Sequence, residues 1–196
     1  MRFHRWLLAA LAGAVVMFAW SALSHTALIR GIGFTRLPHE DAVVAQLRAS
    51  IDREGLYFFP GIDWDATPTA DETAAWKASF RAGNGLLVYH PSSGDPVSPR
   101  KLGLQLLCDL LAAAVAAWLV SLLPAVLWKR ALAVGAMGVF ACLGVSALFW
   151  TWYGFGDAFF AAHCFDKIVG WALAGLAIAW VATRASGGGG GRRLAR

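Results

Sequence analysis

His163, Asp166 and Lys167 fall inside a stretch otherwise apolar enough to cross a bilayer, FFAAHCFDKIVGWALAGLAIAWVA. Hydrocarbon tolerates such groups only when they are paired or face a protected interior. They are therefore the first residues to examine for chemistry. On a helix His163 and Asp166 share a face, and Lys167 follows His163 by one turn. A histidine beside a carboxylate is suited to proton transfer, and a lysine beside both adds a hydrogen-bond donor and a counter-charge. Other apolar stretches bring His25 and Asp109 to comparable positions, accompanied by Ser24, Cys108, Cys142 and Ser146. At the rise of an α-helix these groups lie roughly 7–15 Å below one common surface. Neighbours Asp166 and Lys167 diverge by about 100° on a helix. The economical arrangement is thus Lys167 paired with Asp109 on another helix, and Asp166 holding His163 or His25.

The bland reading of this layer is an ion-pair network that sets helix register, or side chains reaching back toward water. The functional reading is an ion path, a proton relay or a ligand pocket. His25 and His163, on different helices at similar depth, could also be axial ligands of a b-type haem. A metal site from Cys108, Cys142, Cys164 and His163 is set aside, because positions 163 and 164 diverge and no CxxC spacing exists. A proton path past Asp109 and Asp166 requires an oligomer, since four helices make a thin wall. Elsewhere, His39-Glu40-Asp41 reads as acids at a helix start, Asp63 and Asp65 as a solvated turn around Trp64, and His90 as a surface residue. GxSxG, HExxH, P-loop and GxGxxG motifs are all missing from the sequence. No catalytic residue, metal or resident cofactor is expected, with haem as the alternative.

The elements that position the layer follow from composition. Of 196 residues, 58% are hydrophobic and 15% charged, against about a quarter charged in soluble domains. Apolar runs at Trp6–Ile29, Leu102–Leu123, Ala131–Phe149 and Phe155–Ala182 reach the length of about 20 residues that spanning requires. The first is longer than the core of a cleaved leader and places Trp20 and His25 where a cleavage region would lie, so it reads as a retained helix. Small residues at four-residue spacing, Gly138/Cys142/Ser146 and Ala113/Ala117/Ser121, are helix-packing faces. The three cysteines all lie in apolar runs and read as small buried hydrophobes.

Residues 30–101 carry nine acidic and eight basic side chains, the balance of a small domain in water. Pro38 with Glu40 and Asp41 opens a helix closed by Gly55. Leu56–Phe59 is a strand. Thr69 with Glu72 marks a capping box for a helix carrying Trp76 and Phe80 and ending at Gly83. Leu86–Val88-Tyr89 is a second strand able to pair with the first. About 70 residues without disulfides is marginal for independent folding, so support from the helices or from a partner is expected. Trp150–Phe155 reads as an aromatic turn at headgroup level, and residues 185–196 as a disordered, glycine-rich basic tail.

The resulting fold class is a mainly α membrane protein, a four-helix transmembrane bundle with a small extracytoplasmic α+β insertion between helices one and two. Its divisions are 1–30, 31–101, 102–184 and 185–196. Arg2, Arg5, Lys129, Arg130, Arg184, Arg192, Arg193 and Arg196 all fall on one side. By the positive-inside rule that side is cytoplasmic and both termini are inside. The excess positive charge is then a topology signal and an attraction for anionic lipid, which removes nucleic acid as a partner.

The phrases FAWSALSH, GLYFFPG, GLLVYHP and WYGF resemble those of a set of uncharacterised bacterial inner-membrane proteins of the same layout. The likeness covers most of the chain except the tail. It implies multi-pass insertion in the inner membrane and carries no activity. The expected function is a non-catalytic scaffold or accessory subunit whose periplasmic domain contacts an envelope protein or a second copy, with the lipid bilayer as the standing partner. The alternative is a redox or proton-handling membrane protein that uses the polar layer.

Overall fold

Apolar runs free of interior proline become long helices in the computed structural model, which describes residues 3–63 and 65–187. Trp64 and most of the tail, residues 188–196, lie outside the described residues. The chain is 71% helical, and the sheet among the described residues has two strands. Four helices are long and apolar enough to cross a membrane: Phe3–Leu28, Pro99–Ser121, Leu127–Tyr153 and Asp157–Arg184. That is the make-up of a multi-pass membrane protein.

Two compact units form. The first contains α1 (Phe3–Leu23), α4 (Pro99–Ser121), α5 (Leu127–Ala141), α6 (Ala147–Tyr153) as far as Thr151, and α7 (Asp157–Gly187). Its core is built mostly from small side chains: Ala9, Ala10, Ala14, Ala113, Ala116, Ala117 and Ala182 are buried with Val120, Val134 and Ile178. Small residues allow backbones to approach, and dispersion between close surfaces then holds the helices where lipid offers no hydrophobic gain. Gly138 shows the limit of this approach. A Cβ there would lie 2.6 Å from the Lys167 carbonyl oxygen and 3.0 Å from the Ile168 Cα. Both expected packing faces are used, through Gly138 and Cys142 on one and Ala113 and Ala117 on the other. Two indoles add directional bonds between helices, Trp6 Nε1 to the Ala114 carbonyl at 3.1 Å and Trp20 Nε1 to the Asp166 carbonyl at 3.0 Å.

Several boundaries depart from the sequence reading. Proline at the first turn of α4 and the Ser98 cap start that helix at Pro99, before Leu102; proline's fixed φ suits this position. The third span begins at Leu127, and the segment expected as an aromatic turn is largely helical, since α6 carries Trp150, Thr151, Trp152 and Tyr153. Gly154, Phe155 and Gly156 break the helix there, Gly154 with φ 70°. Helix α7 continues to Gly187, three residues into the expected tail.

The second unit is Thr35–Pro96 with Trp152–Gly154. In it, α2 (Glu40–Ser50), β1 (Gly55–Phe59), α3 (Ala70–Ala82) and β2 (Gly85–Tyr89) follow in order. The strands pair antiparallel with Leu56 opposite Val88 and Phe58 opposite Leu86. Thr69 and Glu72 form the expected capping box, and Gly83 follows the end of α3. Gly55 does not close α2; it opens β1, because α2 already ends at Ser50. Phe58, Phe80 and Trp76 form a small aromatic row, with ring centroids 6.2 and 5.4 Å apart. No described residue of this unit is buried.

Candidate functional site: the polar layer

The polar groups gather near the end of the four-helix unit where the first span finishes and the second begins, here called the distal end. Each of two spans leaves regular α geometry in this layer. A π-helical turn runs from Ser24 to Leu28 and another from Cys142 to Ser146. Such turns interrupt α-helices frequently at functional positions. In the first, side chains bond back to the helix: Thr26 Oγ1 donates to the Ala22 carbonyl at 2.6 Å, and His25 Nδ1 lies 3.0 Å from the Ser21 carbonyl.

Asp166 is the hub. It is buried, and Ser24 Oγ, fully buried, donates to its Oδ1 at 2.5 Å. Lys167 Nζ donates to its Oδ2 at 3.2 Å, and His25 Nδ1 stands 4.0 Å from Oδ1. A hydroxyl has one proton. With that proton on Asp166, the Ser21 carbonyl beside His25 is left to accept from His25 Nδ1–H. The His25 and His163 rings meet edge to face at 6.5 Å.

The expected partnership of Asp166 with His25 is present as this close approach. The expected pairing of Lys167 with Asp109 is not formed. The lysine stem, with its side chain 42% exposed, curls back onto the carboxylate of its own neighbour, which a four-carbon chain can reach despite the divergence of the two Cβ atoms. Asp109 accepts from Gln105 Nε2 at 2.9 Å, one turn earlier on α4. Its Oδ2 is buried and has no hydrogen-bond partner among the described residues.

The cysteine reading is corrected more sharply. Cys142 and Cys164 are joined in a disulfide between the third and fourth spans, with Cα atoms 5.1 Å apart. The cause is the close approach at Gly138: one turn further along, the same two helices leave room for little more than two sulfur atoms. Cys108 is free and exposed. Arg130 also differs from its expected place in a basic turn. It is 5% exposed, and its guanidinium donates to the Leu123 carbonyl at 3.1 Å and to Thr183 Oγ1 at 3.4 Å. It ties together the ends of three helices at the opposite, proximal end.

Beside His163 and Lys167 lies a cavity of about 280 Å³, walled by Phe149, Phe155, Phe159 and Phe160. The rings are ordered by mutual contacts: Phe159 on His163 at 4.1 Å, Phe155 on Phe159 at 5.1 Å, and Trp150 stacked on Phe160 at 4.9 Å. Gly33, at φ 82°, backs onto Phe159, where a Cβ would lie 2.5 Å from the phenylalanine Cα. The lining of the cavity is almost wholly apolar and one side of it is open.

Outside the layer, the remaining candidates resolve into local structure. Glu40 pairs with Arg36 at 2.8 Å, and His39 takes a left-handed conformation before α2. Asp63 Oδ1 accepts from the Asp65 amide at 2.9 Å, the bond of an Asx turn. His90 meets Glu54 at 3.2 Å on the surface. Among the described residues no group of three or more His, Cys, Asp or Glu is placed to hold a metal. Sequence reasoning missed the phenylalanine walls, although the FGDAFF and LFWTWYGF runs were visible as dense aromatic signals. No protein-family model, curated protein or solved structure matches the chain.

Proposed function

We propose that the chain is a multi-pass inner-membrane protein that presents residues 35–96 in the periplasm to another envelope protein, as a non-catalytic anchor or accessory subunit. The observation that carries this is the state of 35–96: two helices and a paired pair of strands are formed, yet no described residue there is buried. A 60-residue domain normally hides about 60% of its unfolded surface. Leu56 and Val88, opposite each other across the sheet, remain 65% and 64% exposed. An apolar pair of this kind on an otherwise charged segment suits a protein contact.

Orientation rests on three supports. A disulfide persists in oxidising compartments, which favours the periplasmic side for the distal end. Arg5, Lys129 and Arg184 gather at the proximal end, where Lys129 lies over Trp128 and Arg184 over Trp180 at 4.2 Å, an interfacial pairing of cation and aromatic ring. The resemblance to inner-membrane proteins of the same layout points the same way. The first span supplies Ala9, Ala10 and Ala14 to the core, which supports its retention.

The test is a photo-crosslinking residue placed at Leu56 or Val88 in the full chain within its native membrane, compared with one at lipid-facing Leu8. Crosslinks to one discrete protein from the sheet positions and none from Leu8 support the proposal, and a self-crosslink identifies a second copy as that partner. Equal or absent adducts from both positions reject it. The redox or proton-handling alternative is favoured by the Asp166 cluster. It predicts that Asp166→Asn abolishes an activity while leaving the helices folded.

A further inference from the structure

Arg130 carries a charge that no side chain near it balances. It is 5% exposed, and its guanidinium donates to two neutral acceptors, the Leu123 carbonyl and Thr183 Oγ1. A guanidinium has five N–H groups, and its Nε is buried with no hydrogen-bond partner among the described residues. Arg130 belongs to none of the ion pairs found there. The sequence supplies the reason: no aspartate or glutamate occurs in residues 1–39, 110–156 or 167–196. Asp109 precedes the end of α4 at Ser121 by twelve residues, about 18 Å of helix. A buried arginine without a counter-ion is costly, and the carbonyl dipoles at the helix ends offset only part of that cost. Between α4 and α5 lies a half-open apolar groove of about 250 Å³, lined by Leu119, Leu122 and Leu123 on one side and Ala133, Val134 and Met137 on the other. Arg130 stands at its end, holding the Leu123 carbonyl one turn before Val134. Exposed Lys129 precedes Arg130, and Arg184 follows Thr183, so two more cations accompany the buried one.

We propose that the proximal end of the bundle binds one anionic phospholipid, whose phosphodiester balances Arg130 and one of whose acyl chains lies in the groove between α4 and α5. Lys129 makes the exposed first contact with the phosphate. The bonds to Leu123 and Thr183 stay in place, because in surroundings of low dielectric an anion a few ångströms away already offsets the guanidinium charge. The groove needs no polar partner from its occupant, which an acyl chain satisfies. A zwitterionic lipid brings an ammonium together with its phosphate and adds no net negative charge. The lack of any acid in these stretches therefore selects the anionic headgroup. The inference rests on the four spans crossing a bilayer, and neither on which side is cytoplasmic nor on what residues 35–96 contact.

Native mass spectrometry of the full chain released from mild detergent tests it, with equal amounts of palmitoyl-oleoyl phosphatidylglycerol and the matching phosphatidylcholine supplied. One phosphatidylglycerol per chain is expected, retained over phosphatidylcholine by about tenfold, the factor that one hydrogen bond between charged groups supplies. Arg130→Gln keeps a donor for the Leu123 carbonyl but removes the charge, and the preference should disappear. Ala133→Trp fills the groove from its exposed rim, leaves Arg130 in place and should lower retention of phosphatidylglycerol by about tenfold as well. If Arg130→Gln fails to fold, as judged by helical circular dichroism, Ala133→Trp alone decides. Equal retention of the two lipids overturns the proposal, and so does retention indifferent to Ala133→Trp. A preference that survives Arg130→Gln overturns it by assigning the attraction to the exposed basic residues at large. Displacement of the lipid by inorganic phosphate overturns it by identifying a free anion as the occupant. None of these outcomes alters the crosslinks expected from Leu56 and Val88.

Discussion

In the four-helix unit Ala9, Ala116, Ala117, Ala179 and Ala182 are completely enclosed, whereas in residues 35–96 the larger Leu56, Phe59 and Val88 stay half or more exposed. Side-chain size is evidently not what separates core from surface in this protein. The helices close because small residues let long backbones touch along their length. Residues 35–96 hold their shape by local bonds: the Thr69–Glu72 box, the ladder between Gly55–Phe59 and Gly85–Tyr89, and Trp76 Nε1 on the Pro60 carbonyl at 3.2 Å. One region is finished by its own packing, and the other is shaped but leaves large apolar side chains uncovered.

The contrast is broken most directly at Gly138. Leucine there must displace the backbone at Lys167 and Ile168, and the expected loss is about 3 kcal/mol or failure to fold, read by thermal unfolding and gel filtration in detergent. Replacing Cys142 and Cys164 together by alanine removes a bridge across 22 residues, for an expected loss of about 3 kcal/mol; an unchanged midpoint under non-reducing conditions would count against a bridge in the folded protein. Asp166→Ala leaves the Ser24 hydroxyl and the Lys167 ammonium without their shared acceptor and should lower stability by about 2 kcal/mol, with Asp166→Asn recovering part of it through the Ser24 bond.

Smaller effects belong to the second region. Thr69→Ala removes the cap of α3 and costs about 1 kcal/mol locally; hydrogen exchange should show loss of protection in Ala70–Ala82 with the bundle helices unchanged. The same cap has a pH signature. Bonds from the Thr69 amide and hydroxyl hold the Glu72 carboxyl below its ordinary 4.5. A depressed folded value means the contribution is present above pH 4.5 and is lost as pH falls through the folded value. Carbon NMR of the Glu72 carboxyl should therefore titrate below 4.5 in the native chain and closer to 4.5 in Thr69→Ala. Least of all, Leu56→Asp should change stability by no more than about 0.5 kcal/mol while eliminating the crosslink from Val88. A large loss of stability would mean that the pair is covered within the chain.

How legible this was differs by kind of interaction. The four spans, both strands and the capping box follow from periodicity and neighbours within a few residues, so Thr69 and Glu72 could be paired on the page. That His25, Asp109, His163, Asp166 and Lys167 interrupt apolar runs was equally readable, because a histidine or carboxylate there is conspicuous. The partners were not. Depth is one coordinate, and rotation about each helix axis is another that no single run contains. Lys167 was therefore assigned to Asp109 when its nearest carboxylate is the adjacent residue, and Cys142 and Cys164 were read as separate buried side chains.

By itself the sequence determined the chain's apolar length, the four candidate spans, the charge asymmetry between their ends and the polarity of one layer within them, since each depends on residue type and local order. The tertiary structure alone decided that Asp166 is the hub of that layer, that two cysteines 22 residues apart are bonded, that Arg130 is buried, and that four phenylalanine rings line one half-open cavity beside His163 and Lys167. Those outcomes depend on how closely and at what rotation the helices meet, and that is set by all the small residues between them acting together.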